Sequence, residues 1–145
     1  MFNQTKKAYL AGFLDGDGSI YVRLKPNQSY RFGFQIAPYI VLFQSQKNQK
    51  KFEKICSIIE LGHLRIRKDG ILEYIISKND ALRKFLKIVE PFTILKKEQV
   101  KLMLEILDKK DRAKNKKDFN RLASLIDRFR ELNYSKKRKI HILTP

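Results

Sequence analysis

Residues 10–18 read Leu-Ala-Gly-Phe-Leu-Asp-Gly-Asp-Gly, and this stretch decides how the rest of the chain is interpreted. The pattern predicts a helix from about Thr5 to Gly16, with Thr5 as its cap and Gly16 and Gly18 ending it. From Ser19 onward, apolar and polar residues alternate with a period of two, which is typical of a strand. The stretch is therefore a helix that runs directly into a strand and carries an acidic residue at the junction.

Small residues form a stripe along this predicted helix. Ala8, Gly12 and Gly16 recur every four residues, which places them on one face. A face without large side chains lets another backbone approach closely. That backbone belongs either to the chain's own sheet or to a second copy of the helix. A second copy would give a twofold dimer with an isologous interface.

Asp17 lies just past the predicted end of the helix. The helix dipole disfavours a carboxylate there, and a bound cation would offset this cost. Mg²⁺ is commonly held by one or two carboxylates, backbone oxygens, waters and substrate phosphates. In a twofold dimer, two copies of Asp17 would meet near the axis and face two phosphates. The simpler interpretation is an ordinary Asp-Gly turn, which residue type alone favours.

The remaining pattern predicts two hairpins and four more helices in a single domain spanning residues 1–145. The predicted strands cover residues 19–25, 31–43, 64–67 and 72–77, and the predicted helices cover residues 48–60, 79–89, 96–109 and 117–132. Pro38 interrupts the second strand and requires an edge position or a bulge there. The order αββαββ followed by helices predicts an α+β fold, in which helices cover one face of a four-stranded antiparallel sheet.

The other face of this predicted sheet is polar and basic. Its side chains are Tyr21, Arg23, Lys25, Arg31, Gln35, Tyr39, Arg65, Arg67 and Glu73. An antiparallel sheet can leave a polar face in water, but a merely solvated face would mix charges of both signs. Guanidinium, amide and phenol groups hydrogen-bond base edges, and a two-stranded ribbon fits the major groove. The pattern therefore favours contact with nucleic acid.

Composition points the same way. The chain has 32 Lys and Arg residues against 15 acidic ones, for a net charge of +17. Such a charge calls for an anionic partner, with nucleic acid as the first candidate and an anionic membrane surface as the second. No apolar run is long enough to span a bilayer, and no secretory signal is present. One cysteine, Cys56, excludes an internal disulfide, and two histidines supply little for histidine chemistry.

Residues 10–18 resemble the signature of the LAGLIDADG homing endonucleases. A single copy of the motif resembles the branch that works as homodimers, including algal chloroplast members. Further segments resemble that branch at its first hairpin turn, its strand-to-helix junction, the entry to its fourth helix and its basic loop: Lys25–Tyr30, Gln46–Lys51, Pro91-Phe92 with Leu95-Lys96, and Asn133–Lys139.

The resemblance implies a role for each catalytic candidate. Asp17 would bind the metal, with the Gly16 carbonyl beside it. Gln46 and Lys50 would organise water around the scissile phosphate, and Lys96 would stabilise the charge that develops there. Asp15 is assigned to helix packing and hydrogen bonding. Without the resemblance, Gln46, Lys50 and Lys96 would each be an ordinary polar surface residue.

The implied function is site-specific cleavage of double-stranded DNA by a Mg²⁺-dependent homodimer, with Mn²⁺ or Ca²⁺ able to replace Mg²⁺ in binding. The target would be a long pseudo-palindrome of roughly 20 base pairs, about two helical turns, cut to leave short 3′ overhangs. No membrane or small-molecule substrate is expected. The basic loop residues Lys136, Lys137, Arg138 and Lys139 would contact phosphates, or else form a solvated charge run or a localisation signal.

Three alternatives stay open at this point: a catalytically inactive DNA-binding repressor, a maturase that binds intron RNA, and an engineered variant of a natural endonuclease. The abundance of Lys, Ile, Asn and Phe is typical of an AT-rich genome. This predicts an intracellular protein encoded in an organelle, a virus or a bacterium.

Overall fold

The computed structural model describes residues 2–133. Its helices are Gln4–Asp17 (α1), Gln49–Ile59 (α2), Asn79–Val89 (α3), Lys97–Arg112 (α4) and Lys116–Leu132 (α5). Its strands are Gly18–Pro26 (β1), Phe34–Ser45 (β2), His63–Ile66 (β3) and Ile71–Ile76 (β4), and a 3₁₀ turn, Gln46–Asn48, leads into α2. This order confirms the predicted α+β arrangement. The predicted phosphate contacts Lys136 to Lys139 lie outside the described residues.

The four strands form one antiparallel sheet in the order β1-β2-β4-β3. Alternate residues point to the helices and are buried with them in one core, as Ile20, Ile40 and Leu72 show. Burying a side chain of this size contributes about 1.5–3 kcal/mol, so the period-two pattern fixes which face meets the helices. The opposite face of the sheet carries most of the predicted polar residues.

Pro38 lies where β2 has a neighbour on one side only. It pairs with Val22 of β1, whereas pairing with β4 begins at Ile40. Proline has no N–H to donate, so it fits a strand position where no partner strand accepts. The register with β1 runs unbroken through Pro38. Of the two predicted solutions, an edge position and a bulge, the chain uses the first.

The free edge of β1 is covered by the end of α5. The Arg130 guanidinium donates to the Val22 carbonyl at 3.3 Å, and the Asn133 amide donates to the Ile20 carbonyl at 3.4 Å. Unpaired edge carbonyls are thereby satisfied by side chains from a distant helix. At the other end of α5, Phe119 stacks on Phe32 with ring centroids 5.0 Å apart. These contacts lay α5 along the first hairpin.

Both ends of α1 and the start of β2 differ from the prediction. Asn3, and not Thr5, caps α1: the Asn3 side chain accepts from the Lys6 N–H at 2.8 Å, and Thr5 lies inside the helix. The helix also includes Asp17 as its last residue. In addition, β2 begins at Phe34, because residues 27–33 form a connection that ends at Gly33 with φ of 79°. Arg31 therefore lies in this connection and not in the strand.

Candidate active site and nucleic-acid interface

The carboxylate of Asp15 organises the segment between α3 and α4. It accepts hydrogen bonds from the Thr93 hydroxyl and from the backbone N–H groups of Ile94 at 2.8 Å, Leu95 at 3.1 Å and Lys96 at 3.2 Å. Partial burial by itself would raise the pKa of Asp15, but these donors outweigh it and hold the pKa below its ordinary value. Asp15 thus fixes a loop against the last turn of α1 in its ionised form.

Lys96 is brought to the end of α1 by the same loop. Its ammonium group donates to the Asp15 backbone carbonyl at 3.0 Å, although the two residues are 81 positions apart. A cation is favoured there, because the last carbonyls of a helix carry partial negative charge. The predicted catalytic lysine therefore contacts the last turn of α1, which ends at Asp17.

Asp17 is the exposed last residue of α1. Within residues 2–133, no side chain or backbone group forms a hydrogen bond or ion pair with its carboxylate. The neighbouring Gly16 carbonyl has no helical donor, since that donor would be Ile20, which belongs to β1. A free carboxylate next to a free carbonyl fits a divalent cation that prefers oxygen ligands.

The part of the chain that the structure describes contains no group of three or more His, Cys, Asp or Glu residues placed to hold a metal. The donor set at the end of α1 is therefore small. One carboxylate and one carbonyl leave most coordination positions to water and to a ligand, which is the arrangement that Mg²⁺ commonly adopts with phosphates.

Gln46 and Lys50 lie at the same end of the sheet as Asp17. Because Gly18 pairs with Leu42, β2 extends past the start of β1, and Gln46 follows immediately after β2. The Gln46 N–H donates to the Gly70 carbonyl at 2.9 Å, which joins the 3₁₀ turn to the second hairpin. Both predicted side chains, Gln46 and Lys50, are exposed.

Of the nine residues predicted on the polar face, seven lie on the outer face of the sheet: Tyr21, Arg23, Lys25, Gln35, Tyr39, Arg65 and Glu73. Tyr21 and Tyr39 stack across β1 and β2 with ring centroids 4.9 Å apart. The Arg23 guanidinium lies 5.3 Å from the centre of the Tyr39 ring. Stacking of this kind orders the side chains of the face before any ligand arrives.

The other two predicted contacts lie in turns. Arg31 is in the connection between β1 and β2, with its guanidinium 5.4 Å from the Phe32 ring centre. Arg67 follows the end of β3 and pairs with Asp69 at 2.6 Å. Their predicted placement on strands was wrong. The strand β2 begins only after Arg31, and the strand β3 ends just before Arg67. Both side chains remain exposed at hairpin ends.

Glu73 is less available than the sequence implied. It pairs with Arg65 across β3 and β4, with 3.9 Å between the charged groups. The centre of the outer face is also more apolar than predicted, because Val41 is buried there and Ile75 lies beside it. On this side β2 also carries Ala37 and Phe43, so the outer face is less polar than its predicted contacts alone suggested.

The small-residue stripe is open. Ala8, Gly12 and Gly16 are all exposed, and a methyl group added at either glycine would meet nothing within 4 Å. The stripe therefore does not pack on the chain's own sheet, which was one of the two sequence interpretations. The space in front of it can receive a second backbone.

Thr93 is a residue that sequence reasoning missed. It is almost completely buried, and its hydroxyl donates to Asp15. A single threonine before two apolar residues gives no signal of this role, since its partner lies 78 positions away.

Gln44 was missed as well. Its side chain accepts from the Ser45 N–H at 2.9 Å and from the Asn48 side chain at 3.2 Å, and these bonds shape the turn that presents Gln46.

The model of one protein family, described as LAGLIDADG endonuclease, matches residues 10–105. The chain belongs to this family. Two LAGLIDADG relatives cover nearly all of it. DNA endonuclease I-CreI of Chlamydomonas reinhardtii is 39% identical over 142 residues, covering 95% of this chain and 85% of the relative. DNA endonuclease I-CvuI of Chlorella vulgaris is 32% identical over 138 residues, covering 95% and 86%.

Solved LAGLIDADG structures share the fold. A crystal structure of I-CvuI bound to a DNA target in the presence of Mg superposes with a TM-score of 0.86 at 32% identity, covering 94% of this chain and 87% of that one. The archaeal intron-encoded homing endonuclease I-Vdi141I, complexed with DNA, gives a TM-score of 0.81 at 22% identity and covers 93% and 88%. In the described part of this chain, no helix has the length and apolar character needed to cross a membrane.

Proposed function

We propose that the chain is one protomer of a homodimeric, site-specific endonuclease that hydrolyses both strands of double-stranded DNA. The observation that carries this proposal is the last turn of α1. There the Asp17 carboxylate has no partner within residues 2–133, the Lys96 ammonium binds the Asp15 carbonyl, and the glycine stripe is open. Both full-length relatives are named DNA endonucleases, which supports it. Residues 1–145 would then form a single domain.

The dimer explains why one helix carries both features. If the stripe of Ala8, Gly12 and Gly16 packs on a second copy, the twofold axis runs between the two helices. Each helix then delivers its own Asp17 close to that axis. Two carboxylates related by symmetry address two phosphates, one on each DNA strand.

Asp17 and the Gly16 carbonyl are the groups of this chain that would hold a divalent cation, most naturally Mg²⁺. When bound, Mg²⁺ supplies an activated water and stabilises charge on the leaving oxygen. The relative I-CvuI was crystallised with DNA in the presence of Mg and, separately, of Ca, which supports the use of a divalent ion. Mn²⁺ and Ca²⁺ prefer similar oxygen ligands and should also bind.

Three side chains of this chain would act on the phosphate. The Lys96 ammonium donates to the Asp15 carbonyl and would stabilise the negative charge that develops as the bond to phosphorus forms. Gln46 and Lys50 are exposed at the same end of the sheet and would orient water there. An ammonium group cannot bind a phosphate in the bidentate way of a guanidinium, so Lys50 would act as a point charge.

The outer face of the sheet would lie along the major groove and read the target. Its arginine and lysine side chains favour G, Gln35 favours A, and Glu73 would accept from C only after leaving Arg65. Two protomers would cover roughly 20 base pairs. Lys136, Lys137, Arg138 and Lys139 would add phosphate contacts, and the two offset cuts would leave short 3′ overhangs. Such an enzyme works wherever its DNA is held, inside an organelle, a virus-infected cell or a bacterium.

Cleavage of a randomised DNA library tests the proposal. The protein is incubated with the library and Mg²⁺, and the new DNA ends are sequenced. We expect one family of pseudo-palindromic sites, each cut on both strands with the same 3′ offset, and no cutting when EDTA replaces Mg²⁺. Tight binding to one sequence without any new ends would instead identify a repressor, and selective binding of structured RNA would identify a maturase.

A further inference from the structure

An apolar patch interrupts the basic outer face of the sheet. It consists of Val41 and Phe43 of β2 and Ile75 of β4. Val41 pairs directly with Ile75 in the antiparallel register, and Phe43 lies two residues further along the same side of β2. Their chain neighbours Leu42 and Ile76 are the residues that point into the core. The patch is therefore a second apolar surface, on the side of the sheet that faces away from the core.

The floor of the patch is closed and its sides are accessible. Val41 is only 3% exposed, whereas Phe43 and Ile75 are half-buried. Directly opposite side chains of antiparallel strands lie about 4.5–5.5 Å apart, so Val41 and Ile75 are within contact distance. A small apolar group that settles on the patch would meet Phe43 and Ile75 at its sides and would be removed from water.

The patch lies at the end of the outer face that is nearest to Asp17. Val41 pairs with Ser19, which follows Asp17 by two residues. Two strand residues span about 7 Å, which equals the rise of about two base pairs of DNA. Two of the predicted readout residues, Arg23 and Gln35, lie further from Asp17 on the same face. A base that lies over the patch would therefore be one of the inner bases of each half-site.

Continuity with the rest of the outer face argues for DNA as the occupant. Along the strands, the Val41–Ile75 pair lies between the stacked rings of Tyr21 and Tyr39 on one side and the Arg65–Glu73 pair on the other. These flanking side chains are of the types that bind base edges. DNA that contacts both flanks would also cover the patch.

The chemistry of the patch selects one of the four bases. Its three side chains have no hydrogen-bond donor or acceptor. The major-groove edges of G, A and C present polar groups, whereas T also presents its C5 methyl group. A polar edge on this patch would lose hydrogen bonds to water without replacement. Burial of a methyl group there is instead favourable, by a factor of about four in affinity.

We propose that Val41, Phe43 and Ile75 read a thymine in each half-site through its C5 methyl group. Val41 forms the floor of this contact, and the two half-buried side chains enclose the methyl group from the sides. The inference rests on the proposed function, because it requires that the outer face lies in the major groove. It adds a specificity determinant that acts by apolar contact, beside the charged and amide groups that act by hydrogen bonding.

The first test changes only the DNA, so it does not depend on the folding of a variant. A binding site is selected from a random library with Ca²⁺ in place of Mg²⁺, and dissociation constants are measured by gel shift. We expect thymine at one inner position of each half-site. Replacing it by deoxyuridine, which lacks only the methyl group, should raise the dissociation constant about 4-fold for each half-site.

Deoxyuridine in place of thymines outside the selected site is the control and should leave the dissociation constant unchanged. Equal affinity for thymine and deoxyuridine at every inner position of the site overturns the proposal.

The second test assigns the contact to the patch. Ile75→Ala removes one side of it, so the ratio of the dissociation constants for deoxyuridine and thymine should fall from about four toward one. Ile66→Ala is the matched control, because Ile66 is 50% exposed on β3 and pairs with the core residue Leu72, on the other side of the sheet. This control should keep the wild-type ratio, and circular dichroism checks that both variants are folded. An Ile75→Ala protein that keeps the wild-type ratio contradicts the assignment.

Failure of this inference differs from failure of the proposed function, because selection by binding finds a site whether or not the DNA is cut. A protein that distinguishes thymine from deoxyuridine but cuts no DNA keeps the role of the patch and removes the nuclease. A protein that cuts its site and tolerates deoxyuridine throughout it removes only the role of the patch.

Discussion

Asp15 and Asp17 occupy the two sides of the last turn of α1, two residues apart, and their carboxylates meet opposite surroundings. Asp15 faces the loop between α3 and α4, where one hydroxyl and three backbone N–H groups donate to it. Asp17 faces outward, and within residues 2–133 nothing pairs with it. The helix dipole disfavours both charges equally, since both lie at the C-terminal end.

The difference shows how one residue type takes two roles within one motif. The cost of the Asp15 charge is offset inside the chain by hydrogen bonds, so this residue fixes structure. Within residues 2–133 no such hydrogen bonds reach Asp17, so this residue is available for the cation that we propose. Environment, and not residue type, separates the two.

The largest expected effect comes from Asp17→Asn. Removing the charge should lower the rate of DNA cleavage at least about 1,000-fold, because the cation loses its one anionic ligand from the protomer. The free energy of unfolding should change by less than about 0.5 kcal/mol, since the carboxylate is exposed and unpaired. Cleavage under single-turnover conditions and urea denaturation measure the two quantities. Full activity in this variant would contradict the metal-ligand role.

Asp15→Asn should lower the stability of the fold, which Asp17→Asn should leave nearly unchanged. The amide keeps one acceptor oxygen but loses the charge that strengthens four hydrogen bonds, so the free energy of unfolding should fall by about 2 kcal/mol. Urea denaturation followed by circular dichroism measures the loss. A variant as stable as the wild type would show that the loop is held by other contacts.

Thr93→Val should have a smaller effect of the same kind. Valine keeps the shape of the side chain and removes one of the four donors, so we expect a loss of about 1 kcal/mol. Thr5→Val is the matched control, because Thr5 is exposed inside α1 and has no assigned cap role. Equal losses in the two variants would mean that the Thr93 hydroxyl contributes nothing specific.

The smallest expected effect is the acid response of Asp15. Its pKa in the folded chain lies below the ordinary value of 3.8, so its contribution is complete above that value and is lost as the pH falls through the folded-state pKa. The stability difference between the wild type and Asp15→Asn should therefore be constant near neutral pH and shrink in acid. Denaturation curves at several pH values measure this difference. A stability difference that grows in acid would show that the pKa of Asp15 is raised in the folded chain and not lowered.

Most of the fold was predictable because its signals are local. Period-two alternation fixed which face of each strand meets the core, and Pro38 correctly indicated an edge position. The wrong predictions concern positions where the residue types alone allow two answers and the backbone conformation decides between them. Asn3 and Thr5 are both good caps, but only Asn3 has the extended backbone that a cap requires. Arg31 matches the alternation of β2, yet Gly33 turns the chain after it.

The candidate site divides in the same way. The motif placed Asp15 and Asp17 at a helix end, and family resemblance supplied Gln46, Lys50 and Lys96 as candidates. Nothing in the spacing showed that Thr93 would meet Asp15 or that the Lys96 ammonium would reach its carbonyl. Contacts across some 80 positions depend on how α3 and α4 pack against α1, which no local pattern encodes.

The sequence by itself determined the αββαββ order, the core face of the sheet, the basic outer face and the acidic end of α1, because each follows from neighbours along the chain. Only the tertiary structure decided that the stripe of Ala8, Gly12 and Gly16 is open and that Glu73 is engaged by Arg65. It also decided that Asp15 is held by hydrogen bonds while Asp17 has no partner within residues 2–133. Each of these outcomes depends on which groups, distant along the chain, come close in the folded protein, because those contacts set the hydrogen bonding and the burial of a side chain.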